Sequence, residues 1–309
     1  ILEINRHFIV TGKMTEMVAV GTWAFSEAPV LKALEVMSQG GSSIDAVETG
    51  INLAETDMSY GKYHIGCGGW QNSENVLQLD AAIMDGKDLN FGSVTALEGF
   101  SKAVSVARRV MSNSPHSMLS GDGAAVFAQS QGFKYEPNLG TPCPKLQTQS
   151  PGHDTLGLLA MDISGNLCAG VSTSGMSGKH PGRVGDSALP GCGLYADSLY
   201  GAACCSGDGD KILRFCPAYK VVDLLKQGHD PMNACQIVAR EIIKRRSLTD
   251  NFEMVIIALD CQGQVGAANV GVHSWKDPGS GQLYLGFPYV VSRVDQLERA
   301  VINVVPAYF

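Results

Sequence analysis

Gly152-His153-Asp154-Thr155-Leu156-Gly157 lies at the midpoint of this 309-residue chain, between a proline-rich polar segment and an apolar run. A threonine hydroxyl inside a chain is a poor nucleophile, because no base automatically lies beside it. Cleavage of the bond before Thr155 would place a free α-amine next to the same hydroxyl, and this amine can act as the base. The unperturbed pKa of an α-amine is roughly 7.7–8.0, so much of it is neutral near neutral pH. The junction therefore raises the hypothesis that Thr155 becomes a chain start.

The segments on either side of this junction differ in character. Residues 131–152 hold four prolines among polar residues, which predicts an exposed loop. Beyond the junction, apolar runs over residues 156–161 and 167–171 flank Ile163-Ser164-Gly165-Asn166. This turn signature predicts a β-hairpin directly after Thr155.

Apolar periodicity and turn residues predict the other elements of the chain. Helices are expected through residues 31–36, from Ser42 onward, and over 93–111, 218–226 and 232–245. Strands are expected over residues 17–20, 76–84, 194–205, 254–259 and 265–269. Strands in two groups with helices outside them predict a layered α/β sandwich.

Composition indicates an ordinary globular protein, with 45% hydrophobic and 17% charged residues. The formal net charge of −7 argues against a nucleic-acid surface. No apolar run approaches the roughly 20 residues that span a bilayer, and the first ten residues do not form a signal peptide. The nine cysteines contain no C-x-x-C pair, so neither a zinc site nor any other metal or cofactor is predicted. Cys204 and Cys205 are expected to point to opposite faces of a strand.

Four polar segments in the second half are candidates for a functional site, although each one has an ordinary structural interpretation. Asp154 could be a turn residue, and Thr173 could reflect β-propensity alone. Arg183 and Asp186 could form a surface ion pair of little energetic value. Residues 206–210 could be a polar loop, since they lack the twelve-residue pattern of a calcium loop. Their order along the chain carries more information than any one segment.

In this order the segments resemble the glycosylasparaginase (aspartylglucosaminidase) family of N-terminal-nucleophile hydrolases. The resemblance runs from about residue 18 to about residue 268. It is carried by Gly21-Thr22-Trp23-Ala24-Phe25, residues 40–48, residues 79–86, His153-Asp154-Thr155, Ser172-Thr173-Ser174-Gly175 and Gly182-Arg183-Val184-Gly185-Asp186-Ser187. The last of these strings is shared with plant-type asparaginases. The His-Asp-Thr junction and the early Trp-x-Phe point to the glycosylasparaginase branch.

The resemblance implies a four-layer αββα sandwich in one domain over residues 1–309. It also implies self-cleavage between Asp154 and Thr155, which would give an α chain of residues 1–154 and a β chain of residues 155–309. In the mature enzyme Thr155 would be the nucleophile, with its own amine as base. Thr173 would hydrogen-bond to that nucleophile and tune it.

The remaining implied roles concern substrate recognition and the oxyanion. Arg183 would bind the substrate α-carboxylate in a charge-assisted pair, and Asp186 would hold the α-ammonium. Trp23 would line the pocket. The Ser206 hydroxyl and the Gly207 N–H would form the oxyanion hole. The family usually has Thr before this glycine, and Ser keeps the donor but lacks the methyl group that restricts its rotamer.

The implied activity is hydrolysis of the amide between N-acetylglucosamine and an asparagine side chain, through a β-aspartyl ester on Thr155. Three alternatives remain: a plant-type L-asparaginase or isoaspartyl dipeptidase, a threonine endopeptidase, and an uncleaved, non-enzymatic binding protein. Recognition of a free amino-acid head group argues against the endopeptidase, and competent residues at every catalytic position argue against the binding protein. The expected partner is a small molecule, with neither nucleic acid nor membrane. The family further implies a dimer of αβ units in the lysosome or secretory-pathway lumen, with the cytoplasm or periplasm as the alternative.

Overall fold

The computed structural model describes residues 16–140, 154–245, 252–296 and 299–308. Its strands are β1 (Val18–Thr22), β2 (Leu79–Asp85), β3 (Asn90–Leu97), β4 (Met118–Ser120), β5 (Leu156–Met161), β6 (Leu167–Thr173), β7 (Leu194–Asp197), β8 (Gly201–Gly207), β9 (Met254–Asp260), β10 (Val265–Val270), β11 (Trp275–Lys276), β12 (Leu283–Tyr284), β13 (Phe287–Arg293) and β14 (Val301–Val305). Its helices are α1 (Glu27–Ser38), α2 (Ser43–Thr56), α3 (Ala103–Asn113), α4 (Gly121–Ser130), α5 (Gly209–Ile212), α6 (Pro217–Lys226) and α7 (Pro231–Arg245). No helix in these ranges is long and apolar enough to span a bilayer.

The hairpin predicted after Thr155 is confirmed as β5 and β6. It lies in the middle of an eight-stranded sheet with the order β14-β13-β1-β5-β6-β2-β3-β4. Neighbouring strands are antiparallel except β3 and β4, and β2 begins three residues later than predicted. Leu156 pairs with Ser172, so the next step of the register brings Thr155 opposite Thr173. The two threonines of the candidate site therefore meet at one end of the hairpin.

A second sheet has the order β10-β9-β8-β7. The prediction of one strand over residues 194–205 was wrong, because β7 and β8 are separate strands joined by a tight turn. Asp197 forms this turn, since its carbonyl oxygen accepts from Tyr200 N–H at 3.0 Å and its Oδ1 accepts from Leu199 N–H at 3.0 Å. A single Asp that starts a turn is a weak signal within an otherwise apolar run.

The smaller sheet packs against the larger one through alternate residues of its central strands. Cys204 and Ile257 belong to the hydrophobic core that is shared with the larger sheet. Cys205 and Ile256 belong to a second core beneath α6 and α7. The prediction that Cys204 and Cys205 point to opposite faces of a strand is therefore confirmed. On the larger sheet, α1, α2 and α3 pack against its strands.

Helix α2 begins where its sequence predicts. Ser42 accepts a hydrogen bond from Asp45 N–H at 3.3 Å, and the Asp45 carboxylate accepts from Ser42 N–H at 3.2 Å, which completes a capping box. The predicted helix over residues 93–111 was wrong in its first part. Residues up to Leu97 form β3 beside β2, and Gly99 then adopts φ +76° before α3 begins at Ala103. Strand pairing overrode the three-to-four spacing of apolar residues in this segment.

One buried acid joins three elements of the fold. Glu55 near the end of α2 accepts from Ser172 Oγ at 2.6 Å and from Val104 N–H at 3.0 Å. Its side chain therefore links α2 to β6 and to the first turn of α3. Burial raises the pKa of Glu55 to about 8, although both of these hydrogen bonds oppose the shift.

The predicted loop over residues 131–152 is described only as far as residue 140. Residues 131–140 contain neither helix nor strand, in agreement with the prediction. Residues 141–153, which include Cys143 and His153, lie outside the described residues.

Candidate active site

The backbone of Thr155 is fixed against a neighbouring strand. Thr22, the last residue of β1, donates from Oγ1 to the Thr155 carbonyl oxygen at 2.6 Å. The same hydroxyl accepts from Gly157 N–H at 2.8 Å. Asp154 and Thr155 are each only 5% exposed. Both residues of the predicted cleavage junction are thus buried, and the second is held in register with β1.

A narrow cavity lies beside this junction. Six of the eight predicted site residues line it together: Asp154, Thr155, Thr173, Arg183, Asp186 and Gly207. They come from the start of β5, the end of β6, the end of β8 and the segment between β6 and β7. Trp23 and Ser206 are not among the described residues that line it. The cavity volume is about 10 Å³, the space of roughly one water molecule, so the uncleaved chain leaves little room beside Thr155 for an amino-acid ligand.

Thr173 ends β6 with its hydroxyl held at two points. Its Oγ1 accepts from Gly175 N–H at 2.9 Å and donates to the His64 carbonyl oxygen at 3.3 Å. These bonds fix the side chain at the wall of the cavity that also contains Thr155. In the uncleaved chain the Thr173 hydroxyl therefore donates to the backbone rather than to the predicted nucleophile.

Asp154 has an unusual protonation equilibrium for a carboxylic acid. Burial raises its pKa to about 7, a hydrogen bond from the Trp275 side chain opposes this shift, and the negative charges of Glu253 and Asp277 reinforce it. A carboxyl group with such a pKa can take up or release a proton near neutral pH. It belongs to the residue whose carbonyl would be attacked by Thr155.

Asp186 is buried and lines the same cavity. Burial raises its pKa to about 7, and the positive charge of Arg183 opposes the shift. Its Oδ2 atom has no hydrogen-bond partner among the described residues. A buried carboxylate oxygen without a partner is costly, and a ligand ammonium group would supply that partner.

Arg183 is held by a partner that the sequence did not indicate. Its Nε and Nη2 atoms donate to the carboxylate of Asp210 at 3.2 and 3.0 Å. The alternative of a surface Arg183–Asp186 ion pair is therefore wrong. The remaining Nη1 group lies close to two glycines, because a Cβ atom on Gly175 or Gly185 would lie 3.3 or 3.1 Å from it. Because both positions are glycine, no Cβ atom from either residue crowds the Nη1 group.

A buried ion pair lies behind this arginine. Lys179 Nζ is 3.6 Å from Asp80 Oδ2, and both side chains are inaccessible to solvent. Burial raises the pKa of Asp80 and lowers that of Lys179, and the attraction between the two charges opposes both shifts. A Cβ atom on Gly175 would lie 3.1 Å from Lys179 Nζ, so the ammonium group is close to the arginine end of the cavity.

Ser206 and Gly207 are the last two residues of β8, beside the junction. Gly207 lines the cavity with φ +135°, a conformation that favours glycine. Ser206 is fully buried behind it, and its Oγ accepts a hydrogen bond from Trp23 Nε1 at 2.9 Å. Trp23 is therefore in contact with the predicted oxyanion-hole hydroxyl.

The described part of the chain holds no group of three His, Cys, Asp or Glu side chains arranged to bind a metal ion. The chemistry available at this cavity is that of hydroxyl, carboxyl, guanidinium and backbone N–H groups. These are the groups that acyl transfer on an amide requires: a nucleophile, a proton acceptor and oxyanion donors.

Residues 7–145 and 141–275 match the sequence model of a protein family described as asparaginase. The chain belongs to this asparaginase family. A relative from Elizabethkingia miricola, named N(4)-(Beta-N-acetylglucosaminyl)-L-asparaginase, is 38% identical over 84% of this chain and 82% of its own length. The mouse protein of that name is 35% identical over 84% of this chain and 86% of its own length. A Drosophila melanogaster protein whose name is the same but marked putative is 33% identical over 85% of this chain and 78% of its own length.

Three residues next to the site of this asparaginase-family chain were missed by sequence reasoning. Thr22 and Asp210 fall inside segments that were singled out, but their partners Thr155 and Arg183 lie 133 and 27 residues away. Trp275 lies beyond the region of family resemblance, and nothing in its local sequence connects it with Asp154. Each of these contacts depends on the tertiary fold rather than on a local pattern.

Proposed function

We propose that this protein is an N4-(β-N-acetylglucosaminyl)-L-asparaginase that activates itself by cleavage between Asp154 and Thr155. The observation that carries the proposal is the shared cavity: the buried junction, a guanidinium edge and an unpartnered buried carboxylate line the same small space. Membership in the asparaginase family and relatives of that name support the choice of reaction.

In the proposed self-cleavage, the Thr155 hydroxyl attacks the carbonyl carbon of Asp154. The peptide nitrogen of Thr155 leaves, an ester forms between the two residues, and water then hydrolyses it. The Asp154 carboxyl group is suited to the proton transfers, because its pKa of about 7 allows both protonation states near neutral pH. The hydrogen bond from Thr22 holds the Thr155 carbonyl still while its hydroxyl moves.

In the proposed turnover, the freed α-amine of Thr155 takes the proton from its own hydroxyl. The hydroxyl oxygen attacks the side-chain carbonyl of the substrate, the glycosylamine leaves, and water releases aspartate from the resulting β-aspartyl ester. Arg183 binds the α-carboxylate and Asp186 the α-ammonium. The developing oxyanion accepts hydrogen bonds from Ser206 and Gly207.

The architecture and assembly belong to the same proposal. A four-layer αββα sandwich is supported by the contact between the two sheets and by helices packed on each of them. We further propose that residues 1–309 form one domain of two chains, 1–154 and 155–309, and that two such αβ units associate as a dimer. The lysosomal or secretory-lumen location stays a prediction.

A denaturing gel of the purified protein tests the first step, and mass spectrometry locates the bond. The expected result is two fragments of nearly equal size, the second beginning with Thr155. A substrate panel of N-acetylglucosaminyl-asparagine, asparagine and a β-aspartyl dipeptide then tests the second step. Preference for the glycosylated compound is expected, whereas preference for either of the others would move the protein to the asparaginase or dipeptidase alternative. A full-length chain without amidase activity would refute the proposal.

A further inference from the structure

We propose that Cys192 and Cys216 are a disulfide-forming site, which a small-molecule disulfide oxidises and which then fastens the turn over residues 186–193 to the start of α6. The two sulfur atoms lie 3.8 Å apart, across 24 positions of sequence. A disulfide bond is about 2.05 Å long, so these sulfurs, already in van der Waals contact, have to approach by less than about 2 Å. A small rotation of the two side chains is therefore enough to bring them together.

The two thiols have little else to lose when they are oxidised. Apart from Cys216, the hydrogen-bonding contact of Cys192 Sγ is the Leu213 carbonyl oxygen at 3.8 Å. Sulfur is a weak donor and a weak acceptor, so converting both thiols removes no strong interaction. The adjacent Cys204 and Cys205 differ from this pair, because they point into two separate hydrophobic cores.

Exposure sets the order in which the two cysteines react. Cys216 is exposed, whereas Cys192 is only 7% exposed. Burial raises the pKa of the Cys192 thiol, and the neighbouring Cys216 reinforces the shift. Because the thiolate is the nucleophile and must reach the oxidant, Cys216 reacts first and Cys192 follows from behind it.

The chemistry is thiol–disulfide exchange in two steps. The Cys216 thiolate attacks one sulfur of the small-molecule disulfide, whose S–S bond breaks and releases one thiolate. Cys192 then gives its proton to solvent and attacks the Cys216 sulfur of the mixed disulfide, which releases the second thiolate. Both released thiolates take up the two protons that the cysteines lost. The two protein thiols thus lose two electrons, and the small disulfide is reduced to two thiols.

The backbone at Cys216 gives independent support for this site. Cys216 precedes Pro217, the first residue of α6, and adopts φ 48° and ψ 51° in the left-handed region. This region disfavours residues with a Cβ atom, and its strain concentrates at functional sites. The Cys216 side chain does not cap the helix, a role for which Ser, Thr, Asp and Asn are suited. Neither backbone conformation nor capping therefore explains a cysteine here, whereas its contact with Cys192 does.

Hydrogen bonds already align the two segments that the disulfide would join. The carbonyl oxygen of Gly191, next to Cys192, accepts from Tyr219 N–H of α6 at 3.1 Å. At the other end of the turn, the Asp186 carbonyl oxygen accepts from Gly193 N–H at 3.1 Å. A covalent link at Cys192 would therefore reinforce a turn that begins at Asp186, the cavity-lining carboxylate that is proposed to bind the substrate ammonium.

Peptide mapping without reduction tests the site. The purified protein is incubated with glutathione disulfide, its remaining thiols are blocked with N-ethylmaleimide under denaturing conditions, and it is digested with trypsin. Trypsin places Cys216 in residues 215–220 and Cys192 in residues 184–211, a peptide that holds two other cysteines. We expect these two peptides to be cross-linked, with fragmentation assigning the bond to Cys192. Dithiothreitol should release both peptides.

Two variants and a thermal measurement complete the design. Cys192→Ala should lose the cross-link and leave Cys216 as a mixed disulfide with glutathione. Cys261→Ala makes the same change at a partly exposed cysteine outside the pair, and it should keep the cross-link. Closing a loop of this length should raise the midpoint of thermal unfolding by about 3–6 °C over the reduced protein. In Cys192→Ala, the same incubation should not raise the midpoint.

Three outcomes of the mapping would overturn the inference: two blocked thiols, a stable glutathione adduct on Cys216 of the unmodified chain, or a link from Cys216 to any cysteine other than Cys192. A cross-link that leaves the midpoint unchanged would refute the fastening of the turn. None of these measurements depends on amidase activity. A chain that neither cleaves itself nor hydrolyses the substrate would therefore refute the proposed function without bearing on this site.

Discussion

The unpartnered carboxylate of Asp186 leads to a prediction about the pH dependence of ligand binding. Burial raises its pKa from the ordinary 3.8 to about 7. This difference of about 3 pKa units corresponds to about 4 kcal/mol in favour of the protonated form in the unliganded cavity. An ammonium group favours the ionised form, so below about pH 7 a proton must leave before the ammonium can bind. The affinity for a ligand that carries an α-ammonium should therefore weaken by about tenfold for each pH unit below 7 and level off above about pH 8.

L-Aspartate and succinate form a matched pair of ligands for this experiment. Both carry the two carboxylates, but only aspartate carries the ammonium group. Dissociation constants are measured for both between pH 5 and 8.5 with the self-cleaved enzyme. They are expressed for the fully ionised carboxylates of each ligand, because the second carboxyl group of succinate titrates near the lower end of this range. Their ratio cancels the titration of groups that affect both ligands, including the Thr155 α-amine. The preference for aspartate should grow by about tenfold between pH 5 and 6 and continue to grow up to about pH 8.

Two variants complete the design. Asp186→Asn cannot ionise, so it should remove both the preference for aspartate and its pH dependence. Asp208→Asn makes the same change at a nearby carboxyl group that pairs with Lys211 and does not line the cavity. In this variant the preference for aspartate should still increase with pH. A preference for aspartate that stays constant between pH 5 and 8 in the unmodified enzyme would show that Asp186 does not bind the ammonium group.

Three further perturbations test other parts of the structure. Thr155→Ala should remain a full-length chain on a denaturing gel and lack amidase activity; cleavage at the same bond in this variant would refute the assignment of the nucleophile. Arg183→Lys should lower kcat/KM by about tenfold or more, because lysine cannot pair with Asp210 and also present a planar fork to a carboxylate. Unchanged steady-state kinetics in this variant would exclude the proposed binding of the substrate α-carboxylate by Arg183. Glu55 has a folded pKa of about 8 against an ordinary 4.5, so the folded state keeps a proton that the unfolded state releases, and stability should fall by up to about 5 kcal/mol as pH rises from 4.5 to 8. Urea unfolding at pH 5 and pH 8 should show that Glu55→Gln gains stability relative to the unmodified chain at the higher pH. If the free energy of unfolding changed equally with pH in both proteins, burial of Glu55 would not be the source of a raised pKa.

The sequence predicted those parts of the fold that local patterns determine. The hairpin of β5 and β6 has two apolar runs and a turn signature, and α6 and α7 have regular apolar spacing. Residues 93–97 were misread because their spacing also fits a helix, and only pairing with β2 decides between the two. No local pattern indicates that β13, near the C-terminus, pairs with β1 near the start of the described chain.

The site was predictable in its residue types and not in its contacts. The family resemblance supplied six residues that line one cavity. It did not supply Asp210 as the partner of Arg183 or Trp275 as the donor to Asp154, since neither follows from residue type. To predict a hydrogen bond between residues far apart in sequence, one must know which elements are neighbours in the fold. No local pattern in a single sequence provides that information.

The electrostatics of the small cavity suggest why one site could serve two successive reactions. Asp154 and Asp186 both line it, and burial raises both pKa values to about 7. While the chain is continuous, the cavity has room for roughly one water molecule, so it offers little solvent to either carboxyl group. Proposed cleavage makes Asp154 a chain end that can move outward, so that substrate can enter and its ammonium can pair with Asp186. Self-cleavage would thus open the space, which turns a site fitted to its own peptide bond into one fitted to an amino-acid head group.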